Sequence, residues 1–207
     1  ATQIWVGTFH AIAVRILRTY SQQLNYSPDF GILGRHEARE LLEEVMTTQF
    51  EAGPASLPDP GRIAQIHSMA VNSDRTLDSV LRERNLTGID PEAYEAICLE
   101  YLIRKIELNV MDYDDLLANW LVLMIEHPEV LQSIAESFDH VLVDEYQDVN
   151  PLQSRILDLL CEGHRNLTAV GDPCQAIYGF RGADVQQIRG FGDRYPEMSL
   201  ISLRQNY

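Results

Sequence analysis

Positive charge and cysteine are scarce in this sequence. The 207 residues carry 16 Lys and Arg against 31 Asp and Glu, which gives a formal net charge of −15, and Lys105 is the single lysine. Because phosphate contacts need local positive charge, this balance disfavours a nucleic-acid partner unless the contact surface is small and specific. The cysteines, Cys98, Cys161 and Cys174, are scattered and odd in number. This pattern argues against a disulfide framework and suits a reducing, cytoplasmic environment.

Long apolar runs and metal-ligand spacings are also missing. No apolar run reaches the roughly 18 residues of a membrane span, and the start, ATQIWVGTFH, lacks the basic region and apolar stretch of a signal peptide. The histidines are spread singly, and no Cys or His pair has the spacing of a zinc site. We therefore expect neither a membrane partner nor a structural zinc.

Hydrophobic patterns predict alternating strands and helices at the two ends of the chain and helices in between. Strands are predicted at residues 3–8, 140–145, 166–172 and 198–203. Helices are predicted from Phe9 onward and over 35–50, 61–71, 76–85, 90–111, 112–127, 150–163 and 184–195, and Pro128 is predicted to begin another. Strands that alternate with helices are typical of right-handed crossovers in a parallel sheet. We predict one α/β lobe from residues 1–22 and 112–207, interrupted by an all-helical insertion over 23–111.

Polar residues follow each of the four predicted strands. The segments are Thr8-Phe9-His10, 144–148, 171–175 and 204–207. In open parallel sheets, ligands bind beyond the carboxyl ends of the strands. Four polar ends on one edge are hard to explain as ordinary turns, so the sequence predicts a binding site there.

Two adjacent carboxylates, Asp144 and Glu145, come directly after the apolar run Val141-Leu142-Val143. One can hold a hydrated Mg²⁺, since this ion keeps several waters and takes only one or two carboxylates. The other can orient a water against a phosphoryl group. The alternative is a solvated turn after a core strand, but the polar residues that follow and the other strand ends favour the site.

The segment GDPCQAIYGFRGAD, residues 171–184, is the second candidate. The amide of Gln175 can donate to a phosphate oxygen. Tyr178, Phe180 and Arg181 place aromatic faces beside a guanidinium, which is typical of a platform that stacks unpaired bases and needs little net positive charge. Core packing is the alternative for the two aromatic residues, but the neighbouring glycines favour exposure.

Together these segments resemble the UvrD/Rep/PcrA family of superfamily 1 DNA helicases. VGTFHAIAVRILR is similar to the family's motif Ib, and MDYDDLL is similar to the acidic stretch before motif II. VLVDEYQDVN resembles motif II, the Walker B segment, VGDPCQAIYGFRGAD resembles motif III, and LRQNY resembles the start of motif IV. The resemblance covers about half of the chain, and its motifs are specific.

The resemblance implies a RecA-like parallel-sheet lobe of the P-loop NTPase type, incomplete, and interrupted by the all-helical subdomain. It implies ATP and Mg²⁺ as cofactors, and single-stranded DNA and single-strand/double-strand DNA junctions as partners. The implied activity is ATP hydrolysis coupled to translocation along single-stranded DNA and to duplex unwinding.

The resemblance also implies residue roles. Asp144 binds Mg²⁺, Glu145 activates the attacking water, and Gln175 senses the γ-phosphate. Tyr207 stacks on the adenine. DNA is contacted by Thr8, His10, Tyr178, Phe180 and Arg181, and the family usually has Trp where Phe180 stands.

Two parts of the family's motor are missing from the sequence. The phosphate loop has the pattern G-x-x-x-x-G-K-[ST], whereas Lys105 is followed by Ile106 in a predicted helix with no glycine nearby. The second motor lobe would follow Tyr207. We therefore expect a fragment whose partner is the rest of the helicase chain, and which alone neither binds ATP tightly nor hydrolyses it.

Three alternatives stay open at this point. The chain can be the helicase portion of a RecB- or AddA-like helicase–nuclease, because QAIYGFRGAD fits that branch about as well. It can be a module that binds DNA or a partner without ATP. It can be an unrelated phosphate-loop ATPase that has lost its loop, although the aromatic–arginine run argues against this.

Overall fold

The computed structural model describes residues 4–49, 59–83, 90–177 and 183–203. The described α-helices are α1 Phe9–Tyr20, α2 Arg35–Gln49, α3 Pro60–Asn72, α4 Leu77–Glu83, α5 Pro91–Glu107, α6 Tyr113–Glu126, α7 Pro128–Ala135, α8 Pro151–Cys161, α9 Gln186–Arg189 and α10 Phe191–Arg194. The strands are β1 Gly31–Ile32, β2 Val110–Met111, β3 Val141–Val143 and β4 Leu167–Ala169. Short 3-10 helices span Ser21–Leu24, Tyr146–Asp148 and Pro173–Gln175.

Side-chain caps explain where several helices begin. The carboxylate of Asp90 accepts a hydrogen bond from the backbone N–H of Glu92 at 3.1 Å, and Pro91 is the first residue of α5. Asn150 and Gln153 cap each other at the start of α8, each side chain accepting from the other's backbone N–H. These caps satisfy N–H groups that lack a partner within the helix.

The strands β3 and β4 pair in parallel, as the sequence predicted. Val141 lies opposite Leu167, and Val143 lies opposite Ala169. The helix α8 connects the two strands, which gives the β–α–β order expected from the hydrophobic pattern. The carboxyl ends of β3 and β4 therefore lie side by side.

A second parallel pair, β1 and β2, was not predicted. Gly31 lies opposite Val110, and Ile32 lies opposite Met111. These residues precede α2 and follow α5, so the pairing joins the chain where it enters and leaves the mainly helical region. The two-residue strands are too short to produce a sequence pattern.

The predicted strands at 3–8 and 198–203 are wrong over their described residues. Residues 4–8 and 198–203 have no strand structure, and the side chains of Ile4, Val6 and Leu200 are exposed. A strand needs a neighbouring strand for its backbone hydrogen bonds, and the described strands pair only as β1–β2 and β3–β4. The polar end at Thr8-Phe9-His10 is therefore not joined to the β3–β4 edge by sheet pairing, and the polar end at 204–207 lies outside the described residues.

Some predicted helix ends also need correction. The helix predicted over 90–111 ends at Glu107, and Asn109 then takes a left-handed backbone with φ of 53°, which asparagine tolerates better than most residues. The helix predicted over 184–195 is divided at Gly190 into α9 and α10. The helix predicted to reach Gly163 ends at Cys161.

The buried hydrophobic residues form two large clusters. Cluster one lies among α1, α6, α7 and α8 and includes Ala13, Ile16, Leu17, Tyr26, Phe30, Leu117, Trp120, Leu123, Ile156 and Leu160. Cluster two lies among α2, α3, α4 and α5 and includes Leu42, Ile63, Ile66, Val80, Tyr94, Ile97 and Tyr101. Tyr26 and Phe30 belong to cluster one, so the boundary between the two clusters along the chain lies near β1.

A buried ionic network joins α5 to the start of α6. Lys105 is 1% exposed, and its Nζ lies 2.9 Å from Asp112 Oδ2 and 2.7 Å from the carboxylate of Asp115. The hydroxyl of Tyr101 donates to the same Asp112 oxygen at 2.9 Å. Burial acts to raise the pKa of Asp112, but the charge of Lys105 and the hydrogen bonds from Lys105, the Asp115 N–H and Tyr101 together outweigh it, and the pKa is lowered. Burial, together with the charge of Asp112, raises the pKa of Asp115.

We predict that Lys105→Met lowers the free energy of unfolding by about 3–5 kcal/mol, because it leaves two buried carboxylates without their cation. Urea unfolding measures the change. Without Lys105 the folded-state pKa values of both carboxylates rise, so protonation relieves the penalty and the loss is smaller at pH 5 than at pH 8.

The matched control is Arg104→Met, which removes an exposed cation from the same helix and costs less than about 1 kcal/mol. Equal losses for the two variants would contradict the role of Lys105.

Candidate functional site

The strand β3 ends in the two carboxylates that the sequence singled out. Asp144 and Glu145 are both exposed, and the backbone N–H of Glu145 donates to Asp144 Oδ1 at 3.0 Å. Glu145 has a left-handed backbone, with φ of 51° and ψ of 44°, and a 3-10 turn follows over Tyr146–Asp148. This backbone stops the strand and leaves two carboxylates at its end.

The end of β4 is held directly beside this turn. The N–H of Val170 donates to the carbonyl of Val143, and the N–H of Tyr146 donates to the carbonyl of Val170, both at 2.8 Å. The two polar ends predicted at 144–148 and 171–175 therefore meet, because backbone hydrogen bonding continues past the strands.

Asp172 organises the turn that carries Gln175. Its Oδ1 accepts from the N–H of Cys174, and its Oδ2 accepts from Gln175 Nε2, both at 2.9 Å. The hydrogen bond from Gln175, followed by those from Cys174, lowers the pKa of Asp172. The Gln175 side chain is thus oriented before any ligand binds.

The side chain of Gln147 joins the two strand ends. It is 2% exposed; its Nε2 donates to Glu145 Oε2 at 2.6 Å, and its Oε1 accepts from the N–H of Asp172 at 2.9 Å. Gln147 is one of the polar residues in the 144–148 segment after β3, and the sequence predicts no role for it. The sequence shows only an amide beside acidic residues. It could not show which atoms the amide contacts, because these depend on how the strands pair.

The other predicted residues in the described part of the chain lie at the start of α1. Thr8 caps this helix, with Oγ1 accepting from the N–H of Ala11 at 3.3 Å. The His10 ring packs edge-on against Tyr113 at 5.5 Å, and burial lowers its pKa. Between them, Phe9 packs against the small cluster that contains Val143 and Tyr146. The start of α1 is therefore close to the β3 end through Phe9.

Four predicted site residues lie outside the described residues. These are Tyr178, Phe180, Arg181 and Tyr207. Their roles in stacking on DNA and on adenine stay predictions.

Side-chain hydrogen bonds link the helical region to the segment after β3. Asn150 Nδ2 donates to Asn72 Oδ1 at 2.8 Å, and Asn72 Nδ2 donates to Asp114 Oδ1 at 2.6 Å. Arg155 in α8 pairs with Asp74 at 2.8 Å. This link from α3 to α6 and α8 was not predicted, since the paired residues are far apart in the sequence.

The carboxylates at the β3 end fit a hydrated Mg²⁺ better than an all-protein metal cage. Asp144 is an exposed carboxylate, and Asp148 Oδ1 is buried without a hydrogen-bond partner in the described part of the structure. Burial, and then the charge of Glu145, raises the pKa of Asp148. Among the described residues no group of three or more His, Cys, Asp or Glu could hold a metal ion. Mg²⁺ suits such a donor set because it retains waters and takes one or two carboxylates.

A family model described as the UvrD/REP helicase N-terminal domain matches residues 1–196. The chain belongs to this family. The resemblance drawn from the motifs is confirmed, and the mostly helical structure with short parallel strands is compatible with the expected α/β fold.

Curated relatives of this UvrD/REP family chain are named ATP-dependent DNA helicase PcrA. The protein from Leuconostoc citreum is 34% identical over 217 residues, and those from Staphylococcus epidermidis and Staphylococcus aureus are 31% and 32% identical over 207 residues. Each alignment covers 100% of this chain but only 27% or 28% of the relative. The chain thus spans about a quarter of the length of these relatives.

Two further observations on this UvrD/REP family chain bear on phosphate binding and on membrane-spanning helices. Lys105 is buried between Asp112 and Asp115, so it is not available to hold a phosphate. Within the ranges that the structure describes, every helix is too short or too polar to cross a membrane.

We predict that Gly171→Ala lowers the free energy of unfolding by about 1–3 kcal/mol, because the added methyl group overpacks the joined strand ends. A Cβ on Gly171 would lie 2.6 Å from Gln147 Oε1 and 3.0 Å from the backbone nitrogen of Tyr146. Thermal and urea unfolding measure the effect.

Gly163→Ala is the control, since a Cβ there meets nothing within 4 Å, and it should change stability by less than about 0.5 kcal/mol. If Gly171→Ala is as mild as this control, the close approach at Gln147 is not maintained in solution.

Proposed function

We propose that the chain is part of an ATP-dependent DNA helicase, which couples Mg-ATP hydrolysis to movement along single-stranded DNA and to duplex unwinding. Membership of the UvrD/REP family supports this proposal. The observation that carries it is the hydrogen-bonded pair of strand ends, which brings Asp144 and Glu145 together with Gln175. These are the groups that phosphoryl transfer needs for metal binding, water activation and phosphate contact.

The proposed fold is a RecA-like lobe from residues 1–22 and 112–207, with the helical subdomain over 23–111 inserted in it. The parallel β3–β4 pair joined by α8 supports the lobe. Separate hydrophobic clusters support two packing units. The position of Tyr26 and Phe30 in cluster one favours a boundary somewhat after residue 22.

In the proposed mechanism, Asp144 would hold the metal through its exposed carboxylate. When bound, Mg²⁺ neutralises the charge that develops on the transferred phosphoryl group. Glu145 would accept a proton from the attacking water as general base, while Gln147 donates a hydrogen bond to its Oε2. Gln175 would donate from its amide nitrogen to a γ-phosphate oxygen, and Tyr207 would stack on the adenine.

The proposed DNA site combines Thr8 and His10 at the start of α1 with Tyr178, Phe180 and Arg181. Phe9, between the first two, packs against the cluster under the β3 end, which supports a DNA path close to the nucleotide site. Stacking on aromatic faces is compatible with a net charge of −15, because it needs few phosphate contacts. Single-stranded DNA and its junctions with duplex DNA are the proposed partners.

The rest of the helicase chain is the other proposed partner. It would supply the phosphate loop and the second motor lobe. Exposed apolar side chains on and beside the β3–β4 pair, Leu142 at 77% and Val170 at 51%, support a partner that covers this face. The PcrA names of the relatives favour this helicase over a helicase–nuclease or a module that works without ATP.

We predict that Glu145→Gln in the full-length protein lowers DNA-stimulated ATP hydrolysis at least about 100-fold, because an amide cannot accept the proton from water. Binding of Mg-ATP, measured with a fluorescent analogue, should be retained. A phosphate-release assay measures turnover.

Glu162→Gln makes the same chemical change at an exposed position after α8 and should leave turnover unchanged. Retained turnover in Glu145→Gln would exclude the proposed role of Glu145.

We predict that Phe180→Leu weakens single-stranded DNA binding by about 1–3 kcal/mol through lost base stacking. Fluorescence anisotropy with an oligothymidylate measures affinity across salt concentrations. Since a stacking residue neutralises no phosphate, the slope of affinity against salt should not change, whereas Arg181→Gln should make the slope shallower. A shallower slope for Phe180→Leu, or unchanged affinity, would contradict the stacking role.

A further inference from the structure

We propose that Gln147 is a positioning residue, which holds the Glu145 carboxylate in its reactive orientation and couples it to the turn that carries Gln175. This inference rests on the proposed function. Gln147 itself would touch neither nucleotide nor DNA, and it would act entirely through Glu145 and Asp172.

The first contact of Gln147 fixes an otherwise mobile carboxylate. Glu145 is exposed, and an exposed glutamate samples several rotamers. The hydrogen bond from Gln147 Nε2 to Glu145 Oε2, at 2.6 Å, is a strong bond to a charged acceptor. Gln147 can hold its partner because it is 2% exposed and lies in the 3-10 turn after Glu145.

The second contact ties this pair to the neighbouring strand end. Gln147 Oε1 accepts from the backbone N–H of Asp172 at 2.9 Å. Gly171 permits the approach, since a Cβ there would lie 2.6 Å from the same oxygen. The Glu145 carboxylate is therefore held in place by the β4 end as well as by its own strand.

The connection continues from Asp172 to Gln175. Asp172 Oδ2 accepts from Gln175 Nε2 at 2.9 Å, so three hydrogen bonds join Glu145 to Gln175 in one chain. An amide nitrogen carries two hydrogens. Gln175 can therefore keep its bond to Asp172 while its second hydrogen reaches a phosphate oxygen. A shift of Gln175 would then move Glu145 through the chain of hydrogen bonds.

The chemistry requires a side chain that donates and accepts at once. Glutamine donates from its nitrogen to Glu145 and accepts at its oxygen from Asp172. Glutamate at this position would keep the acceptor and lose the donor, and methionine would keep the length and lose both.

The test is steady-state kinetics of DNA-stimulated ATP hydrolysis in the full-length protein. Gln147→Met should lower kcat by about 10- to 100-fold, as expected when a catalytic group is displaced by about 1 Å. The KM for ATP should stay within about twofold, because the lost interaction serves the transition state and not nucleotide binding.

Gln132→Met is the matched control. Gln132 donates to Glu136 at 2.7 Å on the exposed face of α7, so the variant removes the same kind of bond away from the site and should leave kcat unchanged. Gln147→Glu is the second variant. It keeps the acceptor for Asp172 but replaces the donor to Glu145 with a carboxylate oxygen that repels it, so its kcat should fall as well.

A double-variant comparison separates positioning from general loss of structure. In the Glu145→Gln background, Gln147→Met should lower the residual single-turnover rate by less than about twofold, because the group that it positions is already gone. If Gln147 had only a structural role, Gln147→Met would lower the rate by the same factor in the Glu145→Gln background as in the parent.

Three results would overturn the inference. They are a folded Gln147→Met with kcat within about twofold of the parent, a raised KM with unchanged kcat, and additive losses in the double variant. Turnover that survives Glu145→Gln alone would instead overturn the proposed function, so the two failures are distinguishable.

Discussion

The parallel pairing of β3 and β4 is the interaction on which the site depends. Three residue pairs are in register, and backbone hydrogen bonds continue the contact from Val143 through Val170 to Tyr146. This places the turn after Glu145 against the turn before Gln175. Without it, the carboxylates and the amide would belong to separate loops, and neither the Gln147 bridge nor the proposed phosphate chemistry would have a geometric basis.

Apolar packing of the connecting helix α8 and polar contacts from the helical region both support this pairing. Cluster one packs α8 against α1, α6 and α7, and α8 is the connection between the paired strands. Asn72 reaches Asn150 at the start of α8 and Asp114 in α6. Lys105 ties the end of α5 to the cap of α6. The helical region is therefore attached to the site by buried or partly buried polar bonds, which are geometrically more specific than apolar packing.

Local signals in the sequence were enough for most helices and for the central strands. Asp90, Pro128 and Asn150 stand where α5, α7 and α8 begin, because caps and N-terminal prolines act within a few residues. The strands predicted at 3–8 and 198–203 failed because β-propensity cannot supply a partner strand. The β1–β2 pair was missed because it joins residues about eighty positions apart through two residues each.

The sequence by itself determined the family, through specific motifs, and the chemical inventory at the β3 and β4 ends, because these depend on residue types at short spacings. It also determined that Lys105 belongs to no phosphate loop, since the required glycines are not beside it. Only the tertiary structure decided that Gln147 joins Glu145 to Asp172, that Lys105 is held between two aspartates, and that Asn72 connects the helical region to Asn150. The physical reason is that a hydrogen bond between distant residues forms only when the tertiary structure places donor and acceptor to within a few tenths of an ångström. No spacing along the sequence encodes that placement.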